Sequence, residues 1–135
     1  MGYRSHSQSP PPVPPTATRL REAVTTADAV LMITPEYNGS LPAVLKNAID
    51  WTSRPYGRGA LAGKRIAIIG LSTGRRGGAR ALEELRVIVG IAGGTVVEGA
   101  CLAVGSAGHL FGPAPTPADT EVKAKIAEAL RLLAA

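Results

Sequence analysis

A serine in a glycine-rich turn is the first residue of this chain whose surroundings could support catalysis. The segment Gly70-Leu71-Ser72-Thr73-Gly74 matches the GxSxG pattern of a nucleophile elbow, in which the serine follows a strand and precedes a helix. Such a hydrolase also needs an acid and then a histidine further along the chain. His109 follows Ser72, but the acids between them fall on a predicted helix and a predicted strand, and Asp119 comes after the histidine. A Ser72 hydrolase is therefore a minor hypothesis.

The sequence gives little support to metal or nucleoside triphosphate chemistry. The two histidines, His6 and His109, and the single cysteine, Cys101, have no spacing that could close a metal site. Neither a Walker A motif nor a GxGxxG motif is present. Cys101 lies in the apolar run 100–104, where a small buried hydrophobic residue is expected, and a single cysteine cannot form an internal disulfide. We expect no bound metal and a reducing compartment.

The composition narrows the range of partners. The chain has 135 residues, enough for one domain, with 45% hydrophobic and 19% charged residues and a net charge of +5. The positive charge is spread out except at Arg75, Arg76 and Arg80, and the aromatic residues that a nucleic-acid site would use make up only 4%. There is no apolar run of membrane-spanning length and no apolar signal-peptide core. We expect a cytoplasmic protein without nucleic-acid or membrane partners.

The order of helices and strands must position any site. Residues 1–15 form a proline-rich leader that is expected to be disordered, and residues 16–135 form the domain. Apolar runs at 29–33, 66–71 and 95–104 predict three buried strands, with helices before, between and after them. The residues predicted to face inward from the four helices are Leu20, Ala23, Val24 and Ala27, then Leu41, Val44, Leu45, Ala48, Ile49 and Thr52, then Ala81, Leu82, Leu85 and Val89, and last Val122, Ile126, Ala129, Leu130 and Leu133. This alternation predicts an α/β fold with a parallel sheet covered on both faces.

Local signals indicate where two of the helices begin. Ser40 is predicted to cap the second helix, whose first turn tolerates Pro42, and the pair 54–55 to end it. The pattern Thr116-Pro117-Ala118-Asp119 predicts a capping box before the last helix.

Two distinctive loops follow predicted strands directly. These loops are Pro35–Gly39 and Ser72–Gly78. Ligands of parallel sheets bind at the carboxyl ends of the strands, so both loops are expected on the same rim. This convergence predicts a binding site there.

The first of these loops also begins a longer resemblance. The run from Thr34 to Pro42, continued by Leu45 to Trp51, is similar to the hallmark of the NADPH-dependent FMN reductase family, which includes quinone, chromate and azo-dye reductases. Ala62–Lys64 before a strand and Gly77–Arg80 after the turn resemble the same family. The resemblance covers residues 16–135 and implies a flavodoxin-like, three-layer α/β/α fold.

The resemblance implies cofactors and site residues as well. Family members use FMN with NADPH or NADH and pass hydride to a small-molecule electron acceptor such as a quinone. The implied cofactor-binding residues are Pro35, Glu36, Tyr37, Asn38, Gly39, Ser72, Thr73 and Gly74. No side chain need act as a catalytic acid or base, because the flavin itself carries the hydride. Considered alone, the first loop could also be no more than a turn with a helix cap.

Some residues keep two interpretations. Arg75, Arg76 and Arg80 could attract the 2′-phosphate of NADPH or be solvated surface residues. Trp51 is expected in the core or at a subunit interface. Arg54 is a candidate oligomer contact, and we expect a homo-oligomer.

The resemblance also implies a part that this sequence does not show. Family members begin with a strand and a turn that wraps the FMN phosphate, and the proline-rich leader offers neither. We therefore expect an N-terminally truncated sheet with the strand at 29–33 as an open edge. We also expect weak FMN affinity unless another chain supplies the missing part. Whether the chain is itself an enzyme stays open, and the alternative is a non-catalytic flavodoxin-like protein that acts through self-association.

Overall fold

Four α-helices and four strands occur in the part of the chain that the structure describes. The computed structural model describes residues 11–111, 113 and 119–135. The elements are α1 (Pro15–Thr26), β1 (Ala29–Pro35), α2 (Ala43–Thr52), β2 (Arg65–Leu71), α3 (Ala79–Ile91), β3 (Thr95–Val96), β4 (Leu102–Val104) and α4 (Thr120–Ala134), with short 3-10 helices at Glu98–Ala100 and Ala107–His109. Most of the proline-rich leader lies outside the described residues, and α1 begins at Pro15.

Strand β2 is the centre of a parallel sheet. On one side it pairs with β1 over seven residues, from Ala29 opposite Arg65 to Pro35 opposite Leu71. On the other side its first two residues pair with β3 and its last three pair with β4. Because β2 has neighbours on both sides, its central residues 66–70 are all buried. Among the described residues β1 pairs with β2 alone, which agrees with its expected place at an edge.

Helices cover both faces of this sheet. On one face Ile66 and Ile68 pack with Ile49 of α2 and with Leu85 and Val89 of α3. On the other face two clusters join the sheet to α4. These clusters contain Ala67, Ala100, Ala129 and Leu133, and Ile69, Val104 and Val122. The arrangement confirms the predicted three-layer α/β/α fold. None of the helices within the described residues is long and apolar enough to cross a membrane.

Helix α1 is joined to α2 through Trp51. The Nε–H of Arg21 donates to the Trp51 carbonyl at 2.7 Å, and the Arg21 guanidinium lies 5.5 Å from the centre of the indole ring. This contact accounts for the half-buried position of Trp51 without a ligand.

The prediction of one continuous third strand over 95–104 is wrong. The Ala100 N–H donates to the Val97 carbonyl and the Cys101 N–H donates to the Glu98 carbonyl, so the backbone turns at 98–100. Ala100 is fully buried in the cluster that includes α4. The apolar run therefore divides into β3 and β4.

The predicted helix caps are also corrected. Helix α2 begins after Pro42 with no side-chain cap, and the Pro42 carbonyl accepts from Leu45 and Lys46, so Ser40 does not cap it. Asp119 itself caps α4, because its carboxylate accepts from the Val122 N–H at 3.0 Å. Thr116, the first residue of the predicted capping box, lies outside the described residues.

The inward stripes are confirmed in α3 and only in part in α1, α2 and α4. In α1, Ala23 is exposed, and the buried residue is Ala17, which was not predicted. All four predicted residues of α3 are buried. Val44 of α2 and Leu130 of α4 were predicted to face inward and are 79% and 45% exposed. Both lie at the margin of their stripe, where a half-turn of helix separates a buried position from an exposed one.

Candidate functional site

The register of β1 with β2 brings the two distinctive loops together. Pro35 and Leu71 are the last residues of their strands and lie directly opposite each other. The loops 36–40 and 72–78 therefore begin side by side at the carboxyl edge of the sheet. This position confirms that the two loops share one rim.

The first loop is a two-residue hairpin. Tyr37 and Ser40 exchange backbone hydrogen bonds in both directions, at 2.8 Å and 3.0 Å. Asn38 and Gly39 form the tip with positive φ angles of 51° and 77°, as a type I′ turn requires. The pair Asn-Gly is the strongest short signal for such a turn, and it could have predicted the hairpin from the sequence. The loop is a hairpin rather than a helix cap.

Two polar side chains hold this hairpin against α3. A carboxylate oxygen of Glu36 accepts from the Arg80 N–H at 3.1 Å, and the Ser40 hydroxyl donates to a carboxylate oxygen of Glu84 at 2.5 Å. Helix α3 begins after Gly78, which provides no side-chain cap, so the Glu36 carboxylate satisfies one of the free N–H groups of its first turn. No local sequence signal reveals these contacts, because 44 residues separate each pair.

The remaining residues of the hairpin face solvent. The Tyr37 side chain is 62% exposed, and Pro35 and Asn38 are exposed as well. Thr34, the last buried residue of β1, donates its hydroxyl proton to the Pro35 carbonyl at 2.8 Å. The outer surface of the loop therefore consists of backbone groups and the exposed side chains of Pro35, Tyr37 and Asn38.

The second loop, 72–78, is hydrogen-bonded to the loop that follows β4. The Ser72 carbonyl accepts from the Ala107 N–H at 2.9 Å, and the Gly74 carbonyl accepts from the Ser106 N–H at 3.0 Å. The Ser72 hydroxyl accepts from the Gly74 N–H at 3.1 Å. No hydrogen bond joins it to His109 within the described part of the chain, so the pairing that a serine hydrolase needs is not formed.

Glycines allow the backbones of this rim to approach very closely. A Cβ on Gly70 would lie 2.8 Å from the Gly77 carbonyl oxygen, and a Cβ on Gly77 would lie 2.6 Å from the Gly105 nitrogen. These separations are shorter than carbon atoms tolerate. The end of β2, the turn at 74–78 and the start of the loop after β4 therefore form one backbone platform.

Three cations border the same rim. Arg75, Arg76 and Arg80 are exposed, and none of them takes part in an ion pair with another described residue. The Arg80 guanidinium lies next to Gly39, with its Nη1 3.4 Å from where a Cβ would be. No group of side chains suited to a metal ion occurs among the described residues.

A cavity of the described residues lies away from this rim. It has a volume of about 470 Å³ and is lined by Ile49 and Ser53 of α2 and Ile88 and Ile91 of α3, together with Gly93. Gly93 precedes β3, which pairs with the first residues of β2, so the cavity lies near the amino edge of the sheet.

Replacing Gly77 with alanine should destabilise the protein far more than the same change at Gly57. Both glycines have positive φ angles, 59° and 75°, but a Cβ at Gly57 has no atom within 4 Å. Gly57→Ala is expected to cost about 1 kcal/mol from backbone strain alone, and Gly77→Ala about 3 kcal/mol or more because the platform must open. Urea unfolding of both variants measures the difference. Equal losses of unfolding free energy in the two variants would show that the close packing at Gly77 contributes nothing to stability.

The sequence profile described as NADPH-dependent FMN reductase matches residues 3–109. Among curated relatives, a 2-hydroxy-1,4-benzoquinone reductase of Burkholderia sp. is 49% identical over 73 residues, which is 54% of this chain and 40% of that protein. An NAD(P)H-dependent FMN reductase of Pseudomonas aeruginosa is 55% identical over 73 residues, which is 54% of this chain and 39% of that protein. The chain thus spans about two fifths of the length of these relatives.

Solved structures agree with the sequence relatives. The flavoenzyme NAD(P)H:(acceptor) oxidoreductase FerB of Paracoccus denitrificans superposes with a TM-score of 0.78 at 32% identity, over 90% of this chain and 67% of that one. An oxidoreductase of Corynebacterium diphtheriae has a TM-score of 0.66 at 22% identity, over 90% of this chain and 61% of that one, which supports the flavodoxin-like fold. The profile match covers more than half of the chain, and this chain therefore belongs to the NADPH-dependent FMN reductase family, whose cofactors are the predicted FMN and NAD(P)H.

Proposed function

We propose that this chain is an NAD(P)H-dependent FMN reductase that passes hydride by way of FMN to a quinone or a similar small-molecule acceptor. Family membership supports the flavin and the nicotinamide donor. The names of relatives, a benzoquinone reductase and a quinone reductase of Escherichia coli among them, support the class of acceptor. When bound, FMN supplies the hydride chemistry, and the protein contributes binding and orientation.

The single observation that carries the proposal is the shared rim of two loops. The hairpin at 36–40 offers backbone groups and the exposed Tyr37 ring, and the turn at 72–74 borders it from the next strand. The side chains of Glu36 and Ser40 hold the hairpin, which leaves its backbone groups and the exposed Tyr37 and Asn38 side chains for recognition of the flavin ring. In this proposal the flavin-binding residues are Pro35, Glu36, Tyr37, Asn38, Gly39, Ser72, Thr73 and Gly74.

Titration of FMN with the protein tests the proposal directly. Flavin fluorescence should be quenched with a weak, saturable curve, and the loaded protein should oxidise NADPH when a quinone is added. Gly39→Ala should raise the Kd for FMN about tenfold, because its positive φ of 77° at the hairpin tip strains any other residue.

The matched control for this variant is Gly63→Ala. Gly63 has a similar φ of 74° and open space around its Cβ position, away from the rim. It should leave the Kd for FMN unchanged. An equal loss of FMN affinity in both variants, or no saturable binding of FMN by the wild-type chain, would contradict the proposed function.

We further propose that the arginines of the rim favour NADPH over NADH. Arg75, Arg76 and Arg80 have no partner in an ion pair among the described residues, and they border the turn that would face the flavin. An arginine fork is suited to the 2′-phosphate that distinguishes the two donors.

The double substitution Arg75→Ala and Arg76→Ala should raise the KM for NADPH about tenfold. The KM for NADH should be nearly unchanged, since only NADPH loses a charged contact. Steady-state kinetics with both donors measures the effect. Arg19→Ala on α1, also an exposed arginine, should change neither value. Equal changes for the two donors would show that the arginines do not read the 2′-phosphate.

The edge of the sheet favours a second candidate function, self-association. Among the described residues β1 pairs on one side only, and Ile33 near its end is 56% exposed beside the half-buried Leu31. An unpaired edge with apolar residues is a template for another chain, and the occupant that we propose is a second copy.

Ile33→Asp should shift the protein from oligomer to monomer, because a charge would be buried in the interface between the two copies. Light scattering after size-exclusion chromatography measures the shift. Val44→Asp is the control, since Val44 is 79% exposed on the opposite face of the sheet. A wild-type chain that is monomeric at all concentrations would remove this candidate.

A further inference from the structure

We propose that Glu84 is a positioning residue for the hairpin at 36–40 and thereby sets the affinity for flavin. The inference rests on the proposed function and deepens it, because it names a residue outside the rim on which that site depends. No local sequence pattern indicates a contact between Glu84 and the hairpin, because Ser40 lies 44 residues away along the chain.

The contact is a hydrogen bond between the hairpin and α3. The Ser40 hydroxyl donates to a carboxylate oxygen of Glu84 at 2.5 Å. A hydroxyl that donates to a carboxylate forms one of the shorter and stronger hydrogen bonds of proteins. Glu84 forms no ion pair with another described residue, so its carboxylate is committed to Ser40.

Two hydrogen bonds join the hairpin to α3, and their donors lie on opposite partners. Glu36 on the hairpin accepts from the helix at the Arg80 N–H, and Glu84 on the helix accepts from the hairpin at the Ser40 hydroxyl. Arg80 and Glu84 are four residues apart, so they lie on the same side of α3. Glu36 and Ser40 flank the hairpin on its two arms. The helix therefore holds both arms.

This arrangement determines the position of the hairpin tip. Asn38 and Gly39 are connected to the rest of the molecule through Tyr37 and Ser40, which pair only with each other along the backbone. When Ser40 is released, the only hydrogen bonds that this residue keeps are the cross-hairpin pair, and the arm is otherwise held by the packing of Leu41 against the core. The tip can then move away from the turn at 72–74, and the surface offered to the flavin ring is no longer preorganised.

Glu84 has little part in holding the fold itself. It is exposed on α3, whose core contacts come from the buried residues Leu82 and Leu85. The neighbouring Glu83 is an equally exposed glutamate on the same turn, and it has no hydrogen bond with another described side chain. Glu83→Ala is therefore a matched control for charge, helix propensity and exposure.

The experiment compares Glu84→Ala, Glu83→Ala and Ser40→Ala with the wild-type chain in two measurements. The first is amide hydrogen exchange without flavin at Tyr37 and Ser40, whose N–H groups form the two cross-hairpin hydrogen bonds, and the second is the Kd for FMN by fluorescence quenching. Glu84→Ala should accelerate exchange at these two amides and raise the Kd, each about fivefold, with the urea midpoint nearly unchanged. Glu83→Ala should change neither quantity.

Two further variants separate positioning from a general effect. Ser40→Ala combined with Glu84→Ala should be no worse than either change alone, because both remove the same hydrogen bond. Glu84→Gln should restore slow exchange and most of the affinity, because its amide oxygen still accepts from the hydroxyl. The inference would be overturned if the two alanine changes raised the Kd for FMN additively, or if Glu84→Gln showed the same fast exchange and weak FMN binding as Glu84→Ala.

The outcomes also distinguish this inference from the proposed function. If the wild-type chain fails to bind FMN, the proposed function fails, while the exchange rates of the flavin-free protein still decide whether Glu84 positions the hairpin. If the wild-type chain binds FMN and Glu84→Ala binds it equally well with equal exchange, the inference fails and the proposed function stands.

Discussion

The seven-residue parallel pairing of β1 with β2 is the constraint on which the site depends. It places Pro35 opposite Leu71, so the two loops leave the sheet at the same level. A shift of one residue would exchange the two faces of β1, turning Met32 away from its cluster with α3 and Leu31 away from the clusters with α4. The core therefore fixes the register, and the register fixes the distance between the loops.

The rim itself is built by backbone groups rather than by side chains. Gly70, Gly77 and Gly105 allow three segments to approach at distances that a Cβ would prevent. The inward-facing polar side chains of the hairpin, Glu36 and Ser40, are directed to α3. What the rim offers to a ligand is consequently a surface of peptide groups and the exposed side chains of Tyr37 and Asn38, bordered by the three arginines. Such a surface suits a cofactor that brings its own reactive atoms.

The layered fold and the shared rim could be predicted because they depend on short-range patterns. The apolar runs at 29–33 and 66–71 and the stripe on α3 each record burial within a few neighbouring residues. The division of 95–104 into two strands could not be predicted in this way. It depends on Ala100, which is small enough to be buried against α4 at a turn.

Ser40 shows why local signals fail at the site. A serine before Pro42 has the composition of a helix cap, and the local sequence contains no information about a carboxylate 44 residues away. The Ser40 hydroxyl can donate to Glu84 because α3 packs beside the hairpin. For the same reason the Glu36 carboxylate can accept from an N–H group in the first turn of that helix. The helix thus acts on the rim in two ways: its apolar face holds the sheet, and its first turns orient the loop. A substitution on α3 that moves the helix without unfolding it would therefore change the rim before it changed the fold.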